Sequence, residues 1–239
     1  MLSNECGLRF DTLMSGVFLQ RDNRFRVQVR LDGESDSVAA YLPNPGRLQE
    51  LLLPGRTVLL RPAKPASKRR TAYDLCLIEI RGGVWVSLDS RLPNPLVAQV
   101  LACGGLAGFE AYSEIKREVT FGRSRLDFLL TGHEPRCWLE VKSVTLVEDE
   151  TAAFPDAPTK RGQRHVRELR SAAEAGDRAA VLFVVQREDA QRFAPHDATD
   201  PAFGAALREA AAAGVEVRAL RCRVTPEVIQ PLGEIPVVL

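Results

Sequence analysis

Two acids and a lysine carry the chemistry most readily read from this chain. Asp127 sits in Ser124-Arg125-Leu126-Asp127-Phe128-Leu129-Leu130, and Glu140 and Lys142 sit in Trp138-Leu139-Glu140-Val141-Lys142-Ser143. Both runs read as strands. Residues two apart on a strand project from the same face, so Glu140 and Lys142 stand together. A hairpin closed symmetrically around residues 131–136 sets Asp127 across from Glu140 and Arg125 across from Lys142. Two facing carboxylates repel unless a divalent cation lies between them. Two oxygen-donor side chains with one backbone carbonyl, that of Val141, suit Mg²⁺ or Mn²⁺, which keeps its remaining waters. Such an ion gathers phosphate oxygens and lowers the pKa of bound water. Lys142 is then placed to serve the attacking water or to neutralise the scissile phosphate. The chemistry expected is phosphodiester hydrolysis. The plainer alternative is a cross-strand salt bridge on an exposed face; the apolar neighbours Leu126, Phe128, Leu139 and Val141 weigh against it.

The elements around these residues must hold them. Residues 114–121, 125–130 and 137–146 form three strand candidates, preceded by a helix at 96–103 with Leu96, Val97, Val100 and Leu101 as its apolar stripe. A second helix covers 160–175, with Thr159 as its cap and Gly176 at its end. The run Ala179-Ala180-Val181-Leu182-Phe183-Val184-Val185-Gln186 is a strand buried on both faces. Asp200-Pro201 opens a third helix, and 215–222 is a last strand. Strand, helix, strand implies a parallel crossover, so residues 87–239 are expected to form an α/β layer with a mixed sheet.

Residues 1–86 have another character. Residues 24–31 alternate, with Phe25, Val27, Val29 and Leu31 on one side, and end at Asp32-Gly33, a hairpin signal. Further short strands at 37–42, 57–61, 73–80 and 84–88 are broken by proline and glycine turns. So many short strands in so little chain suggest a small closed barrel, with an OB-like barrel leading. The tetrapeptide Leu-Pro-Asn-Pro occurs at 42–45 and again at 92–95 and reads as two similar turns. Phe25 and Tyr73 have rings that could stack on bases, but aromatics on alternating strands are more often core. Lys64, Lys68, Arg69 and Arg70 lie in a basic loop between barrel strands, suited to a phosphate backbone without sequence readout.

The remaining composition mainly excludes. The 239 residues are 45% hydrophobic and 26% charged, ordinary values for a folded protein. No run reaches the roughly 18 apolar residues of a membrane span, and residues 1–5 lack the pattern of a secretion signal. No membrane partner is expected. Cys6, Cys76, Cys103, Cys137 and Cys222 are odd in number and scattered, which predicts separate thiols in a reducing cytoplasm and no disulfide framework. The net charge of +1 is uneven: residues 1–85 hold 13 basic against 9 acidic side chains, and residues 86–239 hold 19 against 22. Charge alone is a weak argument for an anionic partner.

Asp127 followed by Glu140-Val141-Lys142 on this scaffold resembles the PD-(D/E)XK nuclease superfamily. The longer strings Ser124–Phe128, Glu140–Leu146 and Phe154-Pro155-Asp156-Ala157-Pro158-Thr159-Lys160-Arg161-Gly162-Gln163-Arg164-His165, with Pro43-Asn44-Pro45-Gly46 and Arg167-Glu168-Leu169, resemble the sugar fermentation stimulation protein A family over nearly the whole chain. The resemblance implies an OB-like N-terminal domain, a nuclease-like C-terminal domain and DNA binding, with a cytoplasmic or nucleoid setting. It leaves open whether the site turns over or the protein is a non-catalytic, DNA-binding regulator, and whether the chain forms a homodimer. In this frame Asp127 and Glu140 hold the metal, while Gln163 and His165 assist. Arg125, Arg161 and Arg164 join the basic loop in gripping the backbone. Asp156 reads as a loop residue before it reads as a helper of the metal. One departure stands out: superfamily members often carry a further acid on the preceding helix, where 96–103 offers Gln99 and no carboxylate.

Overall fold

Alternation builds the first half of the chain. In Arg26–Leu31 the side chains of Val27, Val29 and Leu31 are buried and those of Arg26 and Arg30 are exposed, as expected for a strand with one face on a core. The computed structural model describes residues 6–63 and 71–239. After a short β1 (Leu8–Arg9) come β2 (Met14–Asn23), β3 (Arg26–Leu31), β4 (Ser37–Tyr41), β5 (Thr57–Pro62), β6 (Tyr73–Arg81) and β7 (Val84–Ser87). The order β4-β3-β2-β5-β6 closes through a parallel pairing of Ala40 with Tyr73, giving a five-stranded OB barrel with β7 added beside β6. The Asp32-Gly33 turn forms because Gly33 takes a φ of 83°, letting the Glu34 N–H bond the Leu31 carbonyl at 3.1 Å. Strand β2 carries little sequence signal, since Val17-Phe18-Leu19 is apolar without alternation. Gly16 belongs there because a Cβ would lie 2.6 Å from the Arg30 carbonyl.

The second half follows as α1 (Pro93–Ala102), β8 (Glu114–Phe121), β9 (Ser124–Thr131), β10 (Cys137–Val144), β11 (Leu146–Glu148), β12 (Thr151–Phe154), α2 (Lys160–Glu174), β13 (Arg178–Val185), β14 (Arg192–Pro195), α3 (Pro201–Ala212), β15 (Glu216–Val224) and β16 (Val228–Glu234). Seven strands form a mixed sheet in the order β1-β16-β15-β13-β10-β9-β8, with β10, β13 and β15 parallel and the others antiparallel to their neighbours. The run expected as one strand over 137–146 breaks at Thr145, and Leu146–Glu148 joins a separate sheet with β12 and β14. Caps agree with the sequence: Thr159 Oγ1 accepts from the Gly162 N–H at 3.0 Å, and Asp200 Oδ1 from that of Phe203 at 3.0 Å.

Helices α2 and α3 cover one face of the large sheet, packing Val166, Leu169, Phe203 and Leu207 on Val181 and Phe183. The other face packs against α1 and against the barrel, with Leu59, Cys76 and Leu77 in the same buried cluster as Leu139, Val141 and Leu182. The two domains therefore share a core, and apolar burial holds the barrel over the sheet.

Two expectations fail here. The second Leu-Pro-Asn-Pro is no free-standing turn: α1 starts at Pro93, because proline lacks only an N–H that the first helical turn leaves unbonded anyway. The cysteines are not all separate thiols either. Cys6 and Cys103 form a disulfide across 97 residues, brought together by the chain's start lying beside the end of α1, while Cys76, Cys137 and Cys222 are free and buried. Spacing along the chain carries no trace of such a pairing. Among the described residues no helix is long and apolar enough to cross a membrane.

Candidate active site

The site begins where a hairpin comes apart. β9 and β10 pair antiparallel as Leu130 with Cys137, Leu129 with Trp138 and Phe128 with Leu139. The next rung in that register would oppose Asp127 and Glu140, and the ladder stops there. The Val141 N–H, freed from the ladder, donates instead to Asp127 Oδ2 at 2.8 Å. From Cys137 onward β10 also pairs with β13, setting Glu140 beside Val181 and Lys142 beside Phe183. The carboxylates thus meet at the fork of a splayed hairpin. Arg125 does not oppose Lys142: it pairs with Thr120 of β8, and its exposed guanidinium lies 3.4 Å from Glu118.

Glu140 is only 3% exposed. Its Oε1 accepts from Lys142 Nζ and lies against His165 Nδ1. Arg161 Nε donates to the other ring nitrogen of His165 at 3.3 Å, which leaves the proton on Nδ1 to be given to Glu140. Oε2 of Glu140 is buried and has no hydrogen-bond partner among the described residues. Burial by itself would raise the Glu140 pKa; Lys142 and His165 outweigh it and hold the carboxyl down to about 2. Asp127 behaves oppositely. Burial and the charge of Glu140 push its pKa up, opposed by the Val141 N–H, Lys142 and an amide from Asn94.

Asn94 joins the site without a sequence motif of its own. It sits in the first turn of α1, and its Nδ2 donates to Asp127 Oδ1 at 2.6 Å. Helix α1 therefore does reach the site, with an amide in place of the acid that the superfamily resemblance leads one to expect. The repeated tetrapeptide was the only sequence signal pointing to it.

These groups line a cavity of ≈ 310 Å³ between the two domains. Its sheet wall holds Asp127, Glu140, Val141 and Lys142, with Arg161 at the side, and its barrel wall is Asn44, Pro45 and Gly46. Asp156 also lines it and joins the walls: Leu48 N–H donates to it at 3.4 Å, and Gly46 lies so close that a Cβ would come within 2.2 Å of its Oδ2. Gly46 is needed for that approach.

The remaining expected residues are dispersed. Gln163 donates its amide to both oxygens of Asp200, at 3.0 and 3.2 Å, and does not line the cavity. It ties α2 to the start of α3. Arg164 Nε donates to Ser124 Oγ at 3.1 Å, anchoring α2 to β9. Of the helix face expected to meet substrate, Arg161 and His165 turn to the site, whereas Arg164 and Glu168 hold the β8–β9 hairpin. Lys64, Lys68, Arg69 and Arg70 lie outside the described residues. Phe25 is not core: 41% of it is exposed.

The donor set fits a hard divalent cation. Two carboxylates that repel each other, one with a buried oxygen unpartnered among the described residues, gain most from an ion that takes oxygen ligands. Among the described residues no three His, Cys, Asp or Glu side chains converge on one metal position, so an ion here would take part of its shell from the Val141 carbonyl and from water.

Comparison with known proteins places this geometry. Residues 91–228 match the family model described as the sugar fermentation stimulation protein RE domain, and residues 19–88 match the SfsA N-terminal OB domain. A sugar fermentation stimulation protein homolog from Moorella thermoacetica is 50% identical over 228 residues, covering 95% of this chain and 97% of its own. One from Geobacter sulfurreducens is 45% identical over 226 residues, covering 94% and 96%. The solved structure of Pyrococcus furiosus SfsA in complex with Ca²⁺ superposes with a TM-score of 0.88 at 34% identity, covering 97% of this chain and 98% of the other. With both domains matched in order along almost the full length, the chain belongs to the sugar fermentation stimulation protein family.

Proposed function

We propose that this protein is a divalent-cation-dependent nuclease acting on nucleic acid, with DNA as its substrate and Mg²⁺ or Mn²⁺ as its metal. The observation that carries the reading is the buried Oε2 of Glu140, without a partner among the described residues, in a carboxylate that lines one cavity with Asp127 and Lys142. The Ca²⁺ in the complex of the Pyrococcus furiosus relative supports it, since Ca²⁺, like Mg²⁺ and Mn²⁺, is a hard cation that takes oxygen ligands. Asp127, Glu140 and the Val141 carbonyl would hold the metal, which supplies Lewis acidity and a water of lowered pKa. Lys142 Nζ, already donating to Glu140, brings positive charge to where a phosphate would sit. His165 fixes the rotamer of Glu140, and Arg161 offers its exposed guanidinium to the backbone beside the cleft. Arg164, held by Ser124 Oγ, and Arg125, beside Glu118, would meet the backbone outside the cleft, and Gln163 ties α2 to Asp200. A protein with this task works beside the nucleoid in the cytoplasm, although the Cys6–Cys103 disulfide is unusual for a reducing compartment.

A second reading keeps the metal and the DNA without turnover, as a regulator of sugar metabolism. The amide of Asn94 on α1, where a third carboxylate would strengthen metal binding, favours it. One assay separates the two. With Mg²⁺ or Mn²⁺ the protein is expected to cleave DNA, and Lys142→Ala should lower the rate at least about 100-fold, in the range for loss of one group that stabilises transition-state charge. Binding without cleavage by the wild type would leave only the regulatory reading. Undiminished cleavage by the variant would remove the site from the chemistry.

A further inference from the structure

The barrel carries a surface that the metal site does not use. Phe25 stands at the tip of the β2–β3 hairpin, and its backbone is fixed on both sides: its N–H donates to Asn23 Oδ1 at 3.0 Å and its carbonyl accepts from Leu42 N–H at 3.0 Å. The exposed ring is therefore held on a rigid base. It stacks on Tyr41, with centroids 6.2 Å apart and planes 29° from parallel. Arg24 Cζ lies 5.5 Å from the Phe25 centroid, and Arg91 Cζ lies 5.9 Å from that of Tyr41. Two arginines and two rings thus cluster on the barrel wall, and Phe25 keeps 41% of its surface exposed.

The cluster adjoins the cleft. Arg24 Nε donates to the Pro45 carbonyl at 3.0 Å, and Pro45 and Gly46 wall both the cavity of Asp127 and Glu140 and an open groove of ≈ 430 Å³. That groove is lined by Arg21, Arg24 and Arg47. Arg21 spends its donors on the carbonyls of Asn23, Arg24, Gly46 and Arg47, so it builds the floor and contributes charge. Arg47 is exposed and makes no side-chain hydrogen bond or ion pair among the described residues. An arginine-lined groove beside an exposed, rigidly mounted aromatic has two complementary uses: the charge tracks a phosphate backbone, and the ring takes a base face.

We propose that this surface seats an unpaired nucleic-acid strand, with a base stacked on Phe25 and the backbone led along the Arg24–Arg47 groove to the metal site. The inference rests on the nuclease reading for its direction, and it narrows the substrate to single strands or strands with unpaired ends. A base inside a duplex has both faces covered by its neighbours and cannot stack on Phe25. A single strand also fits a cleft whose two walls are bridged by Asp156.

The test is fluorescence anisotropy with labelled 20-nucleotide DNA, single-stranded and blunt duplex, in EDTA so that binding is read without cleavage. Single strand is expected to bind at least about 10-fold more tightly than duplex. Phe25→Ala should weaken single-strand binding about 5- to 150-fold, the worth of one base–aromatic stack, and leave duplex binding unchanged. Phe25→Trp should restore it, which separates stacking from any loss of fold. Equal affinity for both substrates, no binding of either, or an unchanged single-strand affinity in Phe25→Ala would overturn the proposal. A parallel assay in Mg²⁺ keeps the two ideas apart. Cleavage that ignores Phe25 removes the stacking surface and keeps the nuclease, whereas Phe25-dependent binding without cleavage keeps the surface and removes the nuclease.

Discussion

The chain contains the same tetrapeptide twice, and both copies end at the same cavity. In the barrel, Asn44 is 6% exposed; its Nδ2 donates to the Leu88 carbonyl at 3.0 Å and its Oδ1 accepts from the Gly46 N–H at 2.9 Å. Both ends of the amide are spent on backbone, and what they shape is the loop that approaches Asp156. At the start of α1, Asn94 turns its Nδ2 to the carboxylate of Asp127. One asparagine builds a wall; the other bonds a buried carboxylate. Identical residues in identical local order take different roles because of what the tertiary structure brings within reach. The flanking prolines suit both places, since they fit a loop and the first turn of a helix alike.

That contrast can be broken by exchanging each asparagine for leucine. The largest expected effect is on stability, at the barrel copy. Asn44→Leu leaves the Leu88 carbonyl and the Gly46 N–H buried without partners, at about 1–3 kcal/mol each, so urea denaturation should show a loss of about 2–6 kcal/mol. A loss below about 1 kcal/mol would mean that the loop does not depend on the amide. The next effect is on metal affinity, at the helix copy. Asn94→Leu should weaken Mg²⁺ or Mn²⁺ binding, measured by calorimetry, about 10- to 100-fold, as removal of a group that orients a ligand commonly does. Equal affinities for wild type and variant would sink the role given to Asn94.

The smallest effect sharpens the same comparison through pH. Asp127 must lose its proton to hold a cation, and burial beside Glu140 already raises its pKa, while the Asn94 amide draws it down. Removing that donor raises the folded-state pKa further. Metal binding by Asn94→Leu should therefore fade at a higher pH than in the wild type as acid is added, whereas Asn44→Leu should leave the midpoint unmoved. A midpoint that moves down in Asn94→Leu contradicts the sign. Glu140 does not interfere in this range, because Lys142 and His165 hold it ionised down to about 2.

Much of the site was legible because it is local. The hairpin register follows from a symmetric turn, and the three observed rungs keep it. The period-two placement of Glu140 and Lys142 is a property of any strand, and the Thr159 cap sets where α2 begins. The alternation of Arg26–Leu31 and the even spacing of short strands sufficed for the barrel, and the buried run 179–186 for the centre of the sheet. What escaped depends on contacts between distant segments. His165 reaches Glu140 because α2 packs across β10. Gln163 turns to Asp200 because α3 starts beside it. The Cys6–Cys103 pair exists because β1 joins the far edge of the sheet near the end of α1.

Local order settles which side chains can meet: periodicity and turn chemistry fix the face and the opposite number of each residue within a hairpin or a helix. What they do there comes from the packing of distant segments. Opening the β9–β10 ladder at Asp127 frees the Val141 N–H for its carboxylate, and burial under α2 and the barrel strips Glu140 of water and leaves one of its oxygens without a partner among the described residues. A carboxylate becomes a candidate metal ligand through desolvation and through the charges packed around it, and both come from segments far away in the chain.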